Sequence, residues 1–328
     1  MQKAIRVTII FIMTAILLVS SSGAPYDSKG LSSEDKYLDE KYFEYFSNGS
    51  KVVYTLREGL KGFSEYITVR YYSEKKDISE ISKLADSLLE DAYSYGDLPD
   101  EGDYLKYQIG GYDLEYGYED KDPQKKFLKI YPKYYSYPLW EEELSLNVEK
   151  VMDSFSFTED MTDEQKVRRI HDYIVENVSY DTVHKQNSYN HKKSTAYYAL
   201  MKKTAVCQGF CVLFYRMLKE AGIDNRIVTG QARYDDGKEY HSWNLVKVDG
   251  MYYNTDITWD AMTGGYDYYL KSDNNFTSHE RDGEFLTKDF TDKYQTGKYD
   301  YIVLRWECEV RNHPGITFDL SNHVFRRC

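Results

Sequence analysis

A chain of 328 residues, 41% of them hydrophobic, is long enough for about two domains with buried cores. Its formal net charge of -12 excludes nucleic acid and anionic membrane surfaces as natural partners. Tyrosine alone supplies 35 residues, which suits strand positions that are half buried with the hydroxyl in water.

At the N-terminus, Lys3 and Arg6 precede an apolar run from Val7 to Val19, and Ser20-Ser21-Ser22-Gly23-Ala24 follows as a small-residue region. This is the outline of a secretory signal peptide over residues 1–24, so the chain is expected to be secreted or associated with the cell surface. The apolar run is shorter than the ~20 residues that a spanning helix needs, and no stable membrane insertion is expected once it is removed. Residues 25–50 read as a charged, tyrosine-rich linker with a short helix around Glu34 to Phe46.

From Lys51 the texture changes. Lys51 to Arg57 and Tyr66 to Tyr72 read as strands, and Ile78 to Ala92 as an amphipathic helix on Ile78, Ile81, Leu84, Leu88 and Leu89. Tyr104 to Tyr118 and Lys126 to Tyr134 read as two more strands, which makes residues 51–157 a small α+β module. It holds no histidine and no catalytic constellation, so its reading is a packing or spacer domain or a tyrosine-rich face for glycan or peptide. Trp140 to Phe155 reads as a helix that bridges onward.

Thr162-Asp163-Glu164-Gln165 has the form of a capping box, with Thr162 as N-cap and Gln165 three residues on. The helix it opens, to about Val178, buries Val167, Ile170, Ile174 and Val178, and His171 lies beside that face as a packed or surface side chain. Asp181 to Lys193 is a polar loop with His184 and His191 expected in solvent, and a helix from Ser194 to Met201 leads to the loop carrying Cys207.

Gln208 to Ala221 reads as a helix because Phe210, Val212, Leu213, Phe214, Met217 and Leu218 recur at three- and four-residue spacing and Gly222 follows as a stop. Cys207 therefore sits at a helix N-terminus, where unpaired N–H groups and the positive end of the macrodipole favour a thiolate. The same N–H groups can hold the oxyanion of a tetrahedral intermediate. Cys211 is one turn along and reads as a small buried hydrophobe.

Next comes a hairpin, His241 to Val248 and Met251 to Thr258, joined by the two-residue turn Asp249-Gly250. With Val248 opposite Met251, Trp243 faces Asp256 and His241 faces Thr258, so His241 and Asp256 are diagonal neighbours on one face. A carboxylate there can orient the imidazole, and a one-residue slip in register would separate the two.

Three motifs in order, Ala205-Val206-Cys207-Gln208-Gly209, His241-x-Trp243-Asn244 and Tyr253-x-x-Asp256-x-Thr258-Trp259-Asp260, resemble the bacterial transglutaminase-like superfamily. Upstream, Ile170-His171-Asp172-Tyr173-Ile174-Val175, Val178-Ser179-Tyr180-Asp181 and Thr195 to Leu200 are similar to its first core helix and the run toward the nucleophile. Downstream, Asp267 to Asp273 and His279 are similar to its closing strand. The resemblance implies an α+β, papain-like core, a nucleophile helix packed on an antiparallel sheet, with a Cys207-His241-Asp256 triad in a domain over residues 158–285. The tail, residues 286–328, fits neither the resemblance nor an obvious element beyond a strand at Tyr301 to Trp306.

The implied chemistry is acyl transfer through a thioester, with Cys207 as nucleophile, His241 as base and then acid, and Asp256 as orienter. Gln208 and Asn244 are expected to contact the oxyanion, and Trp243 and Trp259 to line the cleft or pack in the core. Water as acceptor makes a cysteine peptidase or amidase, which the resemblance favours; a lysine-type amine makes a protein-glutamine transglutaminase. The reading from another class is a non-catalytic binding module at the cell surface. The partner expected is a peptide or protein substrate, at the cell wall or cell surface. No metal or other cofactor is expected, since Cys-x-x-x-Cys lacks a second ligand pair. Cys207 and Cys211 share a helix, which argues against a disulfide framework and leaves a Cys308–Cys328 pair open.

Overall fold

A computed structural model describes residues 3–9, 51–72, 78–94, 96–119, 122–182, 191–234, 237–301, 316–319 and 324–327. Residues 10–24 of the expected signal, the linker at 25–50, the expected strand at Tyr301 to Trp306 beyond its first residue, and His184, His313, His323, Cys308 and Cys328 lie outside the described residues. The chain divides into two compact units, Met1–Val151 with Asp181–Lys202, and Met152–Tyr180 with Lys203–Cys328. Among the described residues no helix is long and apolar enough to cross a membrane.

The first unit is α+β. Its strands are β1 (Lys3–Ile9), β2 (Ile67–Tyr72), β3 (Ile109–Glu119) and β4 (Asp122–Tyr134), and its helices include α1 (Lys51–Lys61), α2 (Ile78–Ser94) and α3 (Asp103–Tyr107). The four strands form an antiparallel sheet in the order β1-β3-β4-β2. The beginning of the segment expected to serve as a signal thus lies in β1, paired with β3.

Two stretches expected as strand are helical. Lys51 to Arg57 is helix and not strand: Val53, Leu56, Arg57 and Leu60 are buried at the three- and four-residue spacing of a helix face. The local run Val52-Val53-Tyr54 favours a strand, and the longer apolar period overrides it. Tyr104 to Tyr107 is likewise helical, and the strand begins only at Ile109. Leu88 of α2 and Leu114, Leu128 and Ile130 of the sheet close the core over α1. α4 (Pro138–Ser154) runs out of this unit, while α6 (Ala196–Lys202) belongs to it and stacks Tyr197 on Trp140 at 4.6 Å.

The second unit opens with α5 (Asp163–Asn177). Its capping box is present as the sequence predicts: the Gln165 N–H donates to Thr162 Oγ1 at 3.3 Å, and the Thr162 N–H donates to Gln165 Oε1 at 2.9 Å. β5 (Ser179–Tyr180) then pairs in parallel with β6 (Thr204–Ala205), which delivers the chain to α7 (Cys207–Glu220). Every residue of α7 from Gly209 to Leu218 is buried, so this helix is the centre of the unit.

The sheet beside it is antiparallel, in the order β10-β7-β8-β9, from β7 (Asn225–Tyr234), β8 (Gly237–Val248), β9 (Met251–Thr255) and β10 (His279–Arg281). The β8–β9 register is the one the turn predicts, from Val248 opposite Met251 to Asn244 opposite Thr255. Asp249 and Gly250 both have positive φ, 49° and 85°, as a type I′ turn requires. Strand β9 stops at Thr255, however, and α8 (Ile257–Thr263) begins where a strand was expected to continue. A short helix, α9 (Lys288–Lys293), and a two-stranded pair, β11 (Ile316–Asp319) with β12 (Val324–Arg327), complete the described α-helices and strands.

β10 presses closely on β7. A Cβ on Gly230 would stand 1.9 Å from the Glu280 carbonyl oxygen, so only glycine allows this approach. The apolar patch beneath the sheet is Val228, Trp243, Leu245, Tyr252, Phe276 and Phe285.

Candidate active site

Cys207 is the first residue of α7, and its N-cap Val206 has extended backbone and no capping side chain. The opening N–H groups of the helix therefore receive no side-chain oxygen from the N-cap, and the positive end of the helix is left to the sulfur. Cys207 is half buried, whereas Cys211 is fully buried one turn further on.

His241 stands in the middle of β8 and is 2% exposed. Its Nε2 donates to Asp256 Oδ2 at 2.8 Å, which leaves Nδ1 as the ring nitrogen for the thiol. His241 and Cys207 are hydrogen-bonded. The structure thus brings Cys207, His241 and Asp256 together in one chain of contacts.

Asp256 reaches His241 from a helix cap, not from the strand that the hairpin predicts. It is the N-cap of α8, and the Thr258 and Trp259 N–H groups donate to its Oδ1 at 3.0 and 3.1 Å. Its other oxygen, Oδ2, is thereby turned toward His241. The helix that Asp256 caps is fixed in turn by Asp260, whose Oδ2 accepts from His171 Nε2 of α5 at 3.0 Å and whose Oδ1 accepts the Tyr268 N–H at 2.9 Å. His171 is 1% exposed and also meets Asp172 Oδ1 at 3.2 Å, so it is the packed histidine among the two alternatives.

Burial and charge shape the protonation of these groups. Burial works against ionisation of Cys207, but the His241 hydrogen bond and charge, with help from Ser242, hold the thiol below its ordinary value. Burial would lower His241, yet the Asp256 charge and hydrogen bond push it up to about 10. Burial opposes the charge on Asp256 as well, and the two imidazoles facing it hold its carboxyl well below the usual carboxylate range. The favoured state is a thiolate, an imidazolium and a carboxylate in line.

The other expected site residues divide. Gln208, second in α7, is half buried beside the nucleophile. Trp259 is nearly buried, and its Nε1 donates to the Tyr234 hydroxyl at 2.9 Å. Asn244 is a correction: β8 alternates, so Asn244 points to α7, fully buried, with its Nδ2 donating to the Cys211 carbonyl at 3.2 Å and Asn225 Oδ1 at 3.3 Å. Trp243 takes the packed one of its two expected roles: it is fully buried behind His241 and donates through Nε1 to Asn254 Oδ1 at 3.0 Å.

Three neighbours escaped the sequence reading as site residues. Tyr180 of β5 is carried by the β6 pairing toward the nucleophile, and burial followed by the charge of Cys207 pushes its phenol up. It stays a neutral O–H beside the sulfur. Tyr234, at the end of β7, is raised by burial and has the same charge in view. His279 of β10 places its Nε2 3.0 Å from Asp256 Oδ2. The segment Val178 to Asp181 and the strand alternation around Ile227-Val228 were the available signals for the first two.

The ligand atoms of His241, Asp256 and His279 lie within 4.8 Å of one another, close enough to hold a metal ion. Their 2.8 and 3.0 Å separations are also those of direct hydrogen bonds, which account for the cluster.

Residues 154–257 match the family model described as the transglutaminase-like superfamily. No curated protein matches the chain. Among solved structures it is similar to a candidate cysteine protease from Cytophaga hutchinsonii, at 17% identity and a TM-score of 0.29 over 42% of this chain and 54% of that one. It is also similar to a TGase, at 14% identity and a TM-score of 0.30 over 59% and 51%. A candidate protease from Parabacteroides distasonis is similar at 13% identity and a TM-score of 0.25 over 43% and 33%. The chain spans about half or less of the length of these proteins, and scores this low add nothing to the family match. On its own motifs and that match, the chain carries a domain of the transglutaminase-like superfamily over residues 154–257.

Proposed function

We propose that the chain is an exported thiol acyl-transfer enzyme that cleaves amide bonds in peptides or proteins. The observation that carries this reading is the continuous contact from the Cys207 thiol through His241 to Asp256, with the sulfur on the first residue of a helix whose N-cap offers no side-chain oxygen. The Cys207 sulfur adds to the amide carbonyl, and the oxyanion meets the first N–H groups of α7 with Gln208 beside them. His241 gives a proton to the leaving amine as the C–N bond breaks, which leaves a thioester. His241 then takes a proton from water, the new C–O bond forms, and the thiol returns.

Hydrolysis is favoured over cross-linking on the resemblance of the Cys207, His241 and Asp256 motifs to peptidase members of the superfamily. Export rests on the basic and apolar N-terminal run from Lys3 to Val19. The test is incubation of the full chain with a glutamine-containing protein and a fluorescent primary amine. New peptide termini, absent with Cys207→Ala, are the expected result. Dye incorporation without new termini would replace the peptidase by a transglutaminase, and neither product would leave a binding module.

A further inference from the structure

Asp256 Oδ2 is shared. His241 donates to it at 2.8 Å and His279 at 3.0 Å, the latter from a strand paired with β7. With the Thr258 and Trp259 N–H groups on Oδ1, the carboxylate has four donors, and all four of its contacts are fixed by backbone or by buried rings. The His279 side chain is fully buried. Its ring stacks on Phe276 at 4.0 Å, and the Trp259 and Trp243 rings stand 4.6 and 4.9 Å away. Its remaining nitrogen, Nδ1, lies 2.9 Å from Ser278 Oγ.

These contacts leave one bonding pattern. Asp256 is ionised and can only accept, so His279 Nε2 carries a proton. Burial holds the His279 imidazole below its ordinary value, so it is neutral and Nδ1 accepts from the Ser278 hydroxyl. A neutral donor on Oδ2 fixes the rotation of the carboxylate without competing with His241 as a second cation. We propose that His279 is a positioning residue: it holds Asp256 Oδ2 in line with His241, and through His241 it keeps the Cys207 thiol ionised.

The role is defined with respect to the thiol acyl-transfer reading and rests on it, so its test uses the thiol and not turnover. His279→Phe keeps a ring in the aromatic surroundings and removes the donor. His279→Gln restores an N–H close to where Nε2 stood. The rate of iodoacetamide labelling of Cys207 is followed against pH in the full chain, with circular dichroism confirming that each variant is folded.

In His279→Phe the midpoint is expected to rise by about one pH unit, a tenfold loss of thiolate at a given pH, since a hydrogen bond to a charged group is being removed. His279→Gln is expected to stay within a few tenths of wild type. A folded His279→Phe with the wild-type midpoint overturns the proposal and leaves the acyl-transfer reading standing. Equal rises in Phe and Gln variants also overturn it, because packing alone would then explain the effect. A wild-type Cys207 that titrates as an ordinary thiol overturns both.

Discussion

Asp256→Asn is expected to lower the acyl-transfer rate by about 10³–10⁴-fold while leaving the fold intact, the scale seen when a triad carboxylate becomes an amide. The geometry explains both halves. Asparagine is as good an N-cap as aspartate, and its carbonyl oxygen can keep the Thr258 and Trp259 N–H groups that now bind Oδ1. Its NH2 group then falls where Oδ2 stands, donor against donor toward the Nε2–H of His241 and of His279. His241 loses the charge that raises it and is driven toward the tautomer with its proton on Nδ1, facing the thiol. Rates on a peptide substrate, with thermal unfolding alongside, measure this. A fall of less than tenfold in a folded variant would contradict it.

The second large effect lies one step behind the site. His171→Ala is expected to destabilise the chain by about 3–5 kcal/mol, because it leaves the buried Asp260 carboxylate without its partner from α5. Burial pushes the Asp260 carboxyl up and His171 opposes it, so losing the imidazole leaves only the Tyr268 N–H on that side chain. Burial would lower His171, but Asp172 and Asp260 outweigh it and hold it above its ordinary value. A histidine raised in the folded state stabilises fully below its unfolded value of ~6.5 and loses that contribution as pH rises through the folded one. The gap between wild type and variant in urea unfolding should therefore be wider at pH 6 than at alkaline pH. A pH-independent gap under about 1 kcal/mol would contradict it. Asp256 caps the helix that Asp260 anchors, so the same variant should also slow the reaction.

What was legible beforehand followed local patterns. The apolar spacing from Phe210 to Leu218 placed Cys207 at a helix start, and Asp249-Gly250 set a register that brings His241 near Asp256. The register was right where the local structure was not. Asp256 approaches His241 as a helix cap, and the sequence held that signal in an Asp ahead of Ile257 and a Gly264 that closes the helix in the left-handed region. The period-two reading of Lys51 to Arg57 failed because Val52 and Val53 are β-branched while the burial that decides the matter is spread over Val53, Leu56, Arg57 and Leu60.

The least legible features join residues far apart in the chain. His171 meets Asp260 across 89 positions and His279 meets Asp256 across 23, and neither pairing leaves a local periodicity to read. Trp243 and Asn244 follow the histidine by two and three positions, but strand alternation and burial send one behind it and the other against α7. Adjacency to a reactive residue is a poor guide to which side chains face its substrate.

The most direct measurement is the pH dependence of iodoacetamide labelling at Cys207, read by mass spectrometry of its own peptide, in wild type and in His241→Ala. The account predicts a wild-type midpoint below the ordinary thiol value of ~8.5 that moves up when the imidazole is removed, with buried Cys211 unlabelled throughout. A wild-type midpoint at or above that value, unchanged in His241→Ala, would contradict it.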